Sequence, residues 1–407
     1  MKEISYNKEV VEPGDRASAL ARVICEKSFN NCKAAKIITS SGSGKDRFRL
    51  PTGILWRHAV LERMLEKSIY ETIGNDGAGG KPQFFALVGL PATFRNLGWE
   101  IITMTADDIA RNGGFPVFMV NEINAKLITK ENFKLFEAMM SGYASALAVA
   151  GLANPTGEIA IMRNSITAFC DNGTPDQLIM TWGGTCIGLQ SKYMVLDGSR
   201  IEHGMPIVGF YEPGYRCNGG GQFTKIIINK WGTDVEEIKR NPEAMKFIRM
   251  LTIPSQSYAR MISRMLGWKP NGDMDGKRTH IAAVAHITGG GIWGKFREIL
   301  PPGVGANLYD MPRPAPVLVK AWKLAQGTHL EMTPYDFFST FHGGCGMLVV
   351  TNDPYGVIKE AQKDGVRAGI VGDTMKSPLR EVLINPHVSL GLGKCCISSE
   401  KGVISSN

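Results

Sequence analysis

Several features that would mark a particular class of protein are missing from this chain of 407 residues. No apolar run approaches the ~20 residues that a membrane-spanning helix needs, so we expect no membrane segment. Lysine and arginine are dispersed, and no nucleic-acid-binding motif is present, which argues against a nucleic-acid partner. No strong internal repeat is visible, which gives no support for a repeat architecture.

Metal and redox signatures are also sparse. The eight cysteines lack the paired Cys-x-x-Cys spacing of a structural zinc site. No signal-peptide pattern is present, so we expect reduced thiols in a cytoplasmic protein. The loop Ser40–Lys45 superficially resembles a P-loop, but that pattern needs glycine at position 39, where this chain has Thr39.

The residues that are present describe a globular protein with a preference for anions. The chain is 43% hydrophobic and 21% charged, and its formal net charge is +8. A positive balance of this kind attracts phosphorylated metabolites. The length suits two domains, and strands alternate with helices throughout, which predicts an α/β (α+β) fold. A change of composition near residues 191–204 predicts one domain over 1–195 and a second over 196–407.

Local patterns predict part of the secondary structure. Apolar runs indicate strands over 69–73, 116–120, 178–189, 206–210 and 347–351, whereas helical spacing indicates helices over 100–112 and 131–152. Near the N-terminus, a turn at Pro13-Gly14 is followed by a helix that Asp15 can cap.

The most informative segment is Ala285–Gly291 (AHITGGG), an apolar run that breaks into three successive glycines. Because Gly289, Gly290 and Gly291 carry no Cβ, their backbone amides can approach a ligand closely. A strand that runs into such a turn can cradle an anion with its N–H groups. A plain tight turn explains the same glycines equally well.

Two acidic segments could contribute to a phosphate and metal site. Gly74–Lys81 (GNDGAGGK) combines Asp76, which could hold Mg²⁺, with Lys81, which could meet phosphate; a solvated Asp-Gly turn is the alternative. Asp107 and Asp108 could supply one metal ligand and one helix-dipole partner, or they could simply cap a helix terminus.

Three further turns carry polar side chains. Arg216, in Pro213–Gly221, could bind phosphate beside a backbone nest, whereas Cys217 lacks a nearby histidine and is interpreted as packing. Glu158 adds a third carboxylate on a Pro/Gly turn, which with the other two would suit a shared hard-metal site. His342, in another glycine-rich turn, is as compatible with a structural role as with a chemical one.

Taken in order, these segments resemble the aminoimidazole ribonucleotide synthetase family, also called phosphoribosylformylglycinamidine cyclo-ligase. The AHITGGG segment matches that family letter for letter, and several other segments are similar to its motifs. These are Tyr6, Gly14–Ala17, Gly74–Lys81, Ala106–Ile109, Gly157-Glu158, Pro213–Gly219, Ile253–Tyr258, Glu331-Met332 and Thr340–Met347.

This resemblance implies a two-domain fold in which a mostly antiparallel N-terminal sheet pairs with its copy in a homodimer. It implies ATP and Mg²⁺ as cofactors and ATP-driven ring closure of formylglycinamidine ribonucleotide, a phosphorylated small-molecule substrate. By position, Asp76, Asp108 and Glu158 would hold Mg²⁺ or orient phosphates. The residues implied to bind ATP, phosphate or substrate are Gly77, Gly79, Gly80, Lys81, Asp107, Asn218, Gly289, Gly290, Gly291 and His342, and Asp76, Lys81, Arg216 and Asn218 are the implied catalytic residues.

Departures from the family pattern fall in or beside the site. Asp107, Asn121, Arg216, Cys217 and His342 replace the family's asparagine, aspartate, histidine, serine and asparagine, respectively. Arginine in place of histidine removes a proton carrier and adds a fixed charge. The sequence therefore leaves three hypotheses: a divergent synthetase, another ATP-dependent phosphorylating enzyme of the superfamily, or a non-catalytic nucleotide-binding homologue.

Overall fold

The computed structural model describes residues 35–38, 54–58, 69–154, 157–274, 279–392 and 395–397. The turn predicted at Pro13-Gly14, the helix that follows Asp15 and the loop Ser40–Lys45 lie outside these residues. Tyr6 and Gly14–Ala17 lie outside them as well.

The first sheet is built from the N-terminal half of the chain. Its strands are β1 (Ala35–Ile38), β2 (Ile54–His58), β3 (Ile69–Gly77), β4 (Phe115–Ala125), β5 (Gly157–Ile161) and β6 (Met180–Ser191). Within the described ranges their order is β1-β2-β3-β6-β4-β5, and only the β4–β5 pair is parallel. The sheet is thus mixed and mostly antiparallel, as the family resemblance implied.

Helices cover one face of this sheet. They are α1 (Pro82–Val88), α2 (Pro91–Leu97), α3 (Glu100–Arg111) and α4 (Phe133–Ala150), with a 3₁₀ turn at Arg163–Ser165. Strand β6 alternates strictly, with Trp182, Gly184 and Cys186 buried toward the helices. The opposite face keeps partly exposed apolar residues, because no helix of the described chain covers it.

The second sheet follows in the C-terminal half. Its strands are β7 (Pro206–Tyr211), β8 (Ile281–His286), β9 (Val304–Leu308), β10 (Cys345–Thr351), β11 (Ala368–Lys376), β12 (Val382–Ile384) and β13 (Cys395–Ile397). In the part of the chain that the structure covers, the order is β13-β12-β9-β11-β7-β10-β8, and only β9 and β12 run parallel. Strands β8 and β10 are buried along their whole length.

The helices of this half are α5 (Gly220–Trp231), α6 (Val235–Arg240), α7 (Pro242–Leu251), α8 (Ala259–Met265), α9 (Gly291–Ile299), α10 (Pro316–Ala325), α11 (Pro334–Thr340) and α12 (Pro354–Lys363), with a 3₁₀ turn at Val388–Leu390. Among the described residues no helix combines the length and the hydropathy that crossing a bilayer requires. Helix α8 packs on α3 of the first half, so the apolar core is continuous between the two halves.

The elements predicted within the described residues are present, but several are longer than expected. The strand expected at 69–73 continues to Gly77, and the strand expected at 116–120 spans Phe115–Ala125. The helices expected over 100–112 and 131–152 are confirmed as α3 and α4. The two sheets divide the chain between Ser191 and Pro206, and the domain boundary at 195/196 remains our proposal.

The AHITGGG segment forms a strand, a turn and a helix. Strand β8 ends at His286, and α9 begins at Gly291. Gly290 and Gly291 have φ values of 90° and 58°, and a Cβ on Gly291 would lie 2.2 Å from the carbonyl oxygen of Phe338. Both the backbone conformation and the close packing therefore require glycine at position 291.

We expect Gly291→Ala to lower the free energy of unfolding by about 2–5 kcal/mol, because a left-handed backbone and an overpacked Cβ both cost energy. Gly204→Ala is the matched control, since Gly204 has φ 83° but no atom lies within 4 Å of the position that a Cβ would take there. It should cost only about 1–2 kcal/mol. Chemical denaturation measures both values, and equal losses would contradict the steric argument.

Candidate functional site

Three glycine-rich turns, within 74–81, 213–221 and 285–291, meet between the two halves of the molecule. A Cβ on Gly79 would lie 2.6 Å from the carbonyl oxygen of Cys217, and one on Gly220 would lie 3.3 Å from the Cα of Gly80. On Gly289 it would lie 3.3 Å from Oδ1 of Asn218. Helices α5 and α9 begin at these turns, so unpaired N–H groups of two helix N-termini lie close to the junction.

Two carboxylates lie on the helix-covered face of the first sheet, close to these turns. Asp76 is in β3, and a Cβ on Gly74, two residues earlier on the same face, would lie 3.6 Å from the Cβ of Asp108 in α3. Burial, together with the charge of Asp108, raises the pKa of Asp76 to about 6. A pair of neighbouring carboxylates of this kind is better ionised when a cation lies between or beside them.

Asp108 is held in place by two neighbours. Its Oδ1 lies 2.9 Å from Nδ1 of His286 and 3.0 Å from Nε of Arg111. Burial opposes ionisation, but these two groups hold the pKa of Asp108 well below its usual range. The side chain is still 22% exposed, so an ionised carboxylate remains accessible to a ligand.

The partners of His286 determine its tautomer. Its Nε2 lies 2.6 Å from Nη2 of Arg216, and arginine can only donate, so Nε2 accepts and Nδ1–H donates to Asp108. Burial and the charge of Arg216 lower the pKa of His286 to about 4. The imidazole is therefore neutral and fixed in one orientation. In the sequence, His286 was noted only as part of the glycine segment, and no role was predicted for it.

Arg216 is the centre of this network and is fully buried. It donates to Oε2 of Glu212 at 2.7 Å, to Oδ2 of Asp107 at 2.9 Å and to the carbonyl oxygen of Gln256 at 2.7 Å. Its φ of 58° lies in the left-handed region, which is costly for a residue with a side chain. The prediction that Arg216 meets phosphate or substrate does not match this geometry, because its guanidinium is enclosed by protein groups.

Asp107 has a similar internal role. Its Oδ1 accepts hydrogen bonds from the backbone N–H groups of Tyr258 and Ala259, at the start of α8, and its other oxygen accepts from Arg216. It thus caps a helix, as one of the sequence alternatives proposed, but the helix is α8 rather than its own. Since Asp107 is fully buried, a direct contact with ATP does not match this structure.

Lys81 is also enclosed. Its Nζ lies 2.8 Å from Oε1 of Glu100, donates to the carbonyl oxygen of Ile253 at 3.0 Å and lies 4.7 Å from the ring centroid of Tyr215. Ser255 donates to the same Glu100 carboxylate through both its N–H and its hydroxyl. The phosphate-neutralising role expected of Lys81 does not match this position, because its ammonium is used in contacts between the first and second halves of the chain.

A different lysine, Lys295, is close enough to Asp76 and Asp108 to influence their charge. Lys295 lies in α9, four residues after Gly291, and its charge favours the ionised forms of both Asp76 and Asp108. Its ammonium has no ion-pair partner among the residues that the structure describes. The sequence signal that could have identified Lys295 is its position four residues after Gly291, one turn into the helix that follows the glycines.

Glu158 does not join the other two carboxylates. In the sheet register Asp76 lies in one row with Gly184 and Asn121, whereas Glu158 pairs with Glu122 in the next row. Since successive side chains of a strand point to opposite faces, Glu158 and Asp76 lie on opposite faces, three strands apart. Within the described ranges no group of three His, Cys, Asp or Glu side chains is arranged to hold a metal ion.

Three replaced family residues have structural partners. Asn121 donates to the Tyr143 hydroxyl and accepts from the Trp182 indole, both at 3.2 Å. The Cys217 thiol donates to Glu100 at 3.1 Å, and burial together with that carboxylate raises the pKa of Cys217 well above its usual value. A thiol in this environment is a poor nucleophile, which agrees with the interpretation of Cys217 as packing.

His342, the third of these residues, supports the loop that carries Arg216. Its Nδ1 accepts from the N–H of Gly344 at 3.1 Å, so its Nε2–H donates to the carbonyl oxygen of Gly214 at 2.9 Å. Burial lowers the pKa of His342 to about 4. The side chain is fully used by these two bonds, so its expected contact with phosphate does not match the structure.

Comparison with known families agrees with this architecture. The chain matches the family model "AIR synthase related protein, N-terminal domain" over residues 59–189 and the corresponding C-terminal domain over residues 254–384. The two matches together cover more than half of the chain, and the chain belongs to the AIR synthase related protein family.

Individual relatives are more distant. The chain is 28% identical to a phosphoribosylformylglycinamidine cyclo-ligase of Thermococcus kodakarensis over 332 residues, which cover 78% of this chain and 84% of the relative. It is 27% identical to the Pyrococcus furiosus enzyme of the same name over 285 residues, with coverages of 70% and 72%. Among solved structures it is similar to hydrogenase maturation protein HypE in complex with ATP, with 11% identity, a TM-score of 0.49 and coverages of 81% and 85%.

The neutral His342 predicts a pH dependence of stability. Its pKa of about 4 in the folded protein lies below the ordinary 6.5, so the unfolded chain binds the extra proton as the pH falls. The stabilisation is complete above pH 6.5 and is lost between pH 6.5 and about 4, by up to about 3 kcal/mol. His286 contributes a similar loss.

We expect His342→Asn to reduce this acid-induced loss, with the contribution of His286 remaining. Urea denaturation at several pH values between 7.5 and 4.5 measures the loss, and His203→Asn, at an exposed position, is the control. An unchanged pH profile in His342→Asn would show that His342 is not held neutral.

Proposed function

We propose that this protein is an ATP-dependent enzyme that cyclises formylglycinamidine ribonucleotide to aminoimidazole ribonucleotide, in the cytoplasm. The observation that carries the proposal is the convergence of Asp76, Asp108 and Lys295 beside three glycine turns and two helix N-termini. Family membership and the names of the relatives support this reaction. Cation-binding groups (Asp76 and Asp108) and anion-binding groups (Lys295 and the two helix N-termini) are therefore available at one site, which we call the cleft.

The chemistry of the cleft fits ATP and Mg²⁺. Asp76 and Asp108 would hold Mg²⁺, because the charge of Asp108 raises the proton affinity of Asp76 and a divalent cation beside both carboxylates would favour their ionised forms. Gly79, Gly290 and Gly291 have positive φ, a conformation in which backbone N–H groups of these turns would converge on a phosphate. When bound, Mg²⁺ would neutralise phosphate charge.

The chain's own residues position the reactants. The N–H groups at the starts of α5 and α9 would orient phosphate oxygens, and Lys295 would neutralise the charge that remains. Asn218, beside Gly289, would donate to or accept from the substrate. His286 acts through Asp108, because its N–H fixes the orientation of that carboxylate and holds it ionised. Such positioning and charge neutralisation are what transfer of a phosphoryl group requires.

We further propose a homodimer formed through the face of the first sheet that carries no helices. Ile73 and Phe118 are 39% and 43% exposed, and both pair with Ile187 on this face. A row of apolar side chains on a sheet is normally covered by another layer. Glu158 and Glu122 share this face, so a role of Glu158 in a metal site would depend on the second protomer.

A second candidate is another ATP-dependent phosphorylating enzyme of the same superfamily. Arg216 replaces the family's histidine, and its buried guanidinium can neither reach a ligand nor move a proton. Asn121 likewise replaces an aspartate with a neutral side chain that is engaged by Tyr143 and Trp182. With these two replacements the protein has fewer side chains that can carry a proton, which favours a substrate whose reaction needs fewer proton transfers.

A phosphate-release assay separates these candidates. Purified protein, Mg-ATP and formylglycinamidine ribonucleotide should together give phosphate release that depends on the substrate, accompanied by imidazole formation. ATP turnover with other amide or carbonyl acceptors, and none with this one, would favour the second candidate. Nucleotide binding without turnover on any acceptor would identify a non-catalytic homologue.

We expect Asp76→Asn to lower turnover more than about 100-fold, because it removes a charge that faces the developing phosphate and its cation. Its free energy of unfolding should be unchanged or higher, since the repulsion between Asp76 and Asp108 is relieved. Asp176→Asn, at an exposed loop position, is the control. Full turnover in Asp76→Asn would refute the proposed metal site.

Lys295→Ala should lower kcat/KM for ATP about 10- to 100-fold, the usual contribution of a charged hydrogen bond to a phosphate group. Lys323→Ala, on the exposed side of α10, removes an equal charge far from the cleft and should have no effect. Steady-state kinetics with varied ATP measures both. If the two variants behave alike, Lys295 does not face the nucleotide.

A further inference from the structure

A second cavity, of about 920 Å³, opens at the same edge of the second sheet but beyond the loop that carries Arg216. Its walls come from the end of β7, the segment 310–316 after β9, the residues just before β11 and His387. None of Asp76, Asp108, Asn218, Lys295 or glycines 289–291 lines it. The cavity is therefore separate from the cleft described above.

Three prolines line the cavity. Pro312, Pro314 and Pro316 have little conformational freedom to lose when a ligand binds. Tyr211 and Arg367 also line it, and the guanidinium carbon of Arg367 lies 5.4 Å from the ring centroid of Tyr211. A phenol ring capped by a guanidinium plane is a surface on which planar groups stack.

The charges around the cavity favour an anion. Arg313 and Arg367 are both exposed, and neither forms an ion pair within the described part of the chain. The carboxylate of Glu212, which also lines the cavity, is already neutralised by Arg216 and accepts from Gln256 N–H and the Tyr258 hydroxyl. Asp310 is the remaining carboxylate and can accept from an N–H or O–H group of a ligand.

We propose that this cavity binds a small anion that carries a planar ring, of the size of a nucleoside monophosphate. Arg313 and Arg367 pair with the anionic group, the ring stacks against the three prolines or the Tyr211–Arg367 surface, and Asp310 accepts from a hydroxyl or amino group. The volume lies within the usual range of small-molecule sites, about 300–1,000 Å³. The proposal concerns binding alone and does not depend on the reaction proposed for the cleft.

Isothermal titration calorimetry with the full-length protein tests this assignment. The probes are AMP, which combines ring and anion, and adenosine and inorganic phosphate, which each supply one part. We expect AMP to bind more tightly than either part. In the double variant Arg313→Gln/Arg367→Gln, the Kd for AMP should rise at least about tenfold, because two charged contacts are lost.

Two further variants identify which site is measured. Arg249→Gln removes an exposed arginine on α7 and should leave AMP affinity unchanged. Lys295→Ala should also leave it unchanged, whereas AMP bound in the cleft would be weakened by Lys295→Ala and not by the double variant. The proposal would be overturned if Lys295→Ala weakened AMP binding and the double variant did not. It would also be overturned if adenosine bound as tightly as AMP, or if AMP did not bind at millimolar concentration. Because no readout is turnover, a failure here leaves the proposed reaction untouched.

Discussion

The structure depends on one buried charge, the guanidinium of Arg216. Removed from water, it is compensated by Glu212 and Asp107, and each carboxylate also binds a second partner. Asp107 caps α8, and Glu212 accepts from the loop at Gln256. Losing one partner of such a buried pair costs about 3–5 kcal/mol, because the other charge stays uncompensated. A single side chain therefore joins α3 of the first half to β7 and α8 of the second, and its remaining bond orients His286.

A second buried pair has the same effect on the opposite side of the glycine turns. Lys81 and Glu100 both belong to the first half, and they bind Ser255, Ile253 and Cys217 of the second. Because the ammonium of Lys81 is enclosed in this way, we propose Lys295 of α9 as the cation that meets phosphate in the cleft.

Much of the architecture was predictable from local patterns. Strict alternation in β6 and the Ala/Met/Leu-rich run of α4 reflect burial on one face, which sequence periodicity reports directly. The extension of β3 through Gly74–Gly77 was missed, because glycines and an Asp-Gly pair normally indicate a turn. In the structure these residues pair with β6, and Gly74 packs closely against α3. The metal role predicted for Asp76 and Asp108 stays a prediction, although the two carboxylates lie close together. Glu158 was grouped with them because a turn prediction does not say which face of a sheet a side chain occupies.

The sequence by itself determined the strands and helices with clear periodicity, the glycine turns and the pool of charged residues, because these follow from periodicity and from backbone conformations that only glycine adopts readily. Tertiary structure alone decided which charges are used internally and which face the cleft. Lys81, Arg216, Asp107 and His342 are polar residues that the chain buries, and a buried charge must find its partners among groups distant in sequence. The turn at Gly289–Gly291 leads into α9, and the charge of Lys295 in that helix favours the ionised forms of Asp76 and Asp108.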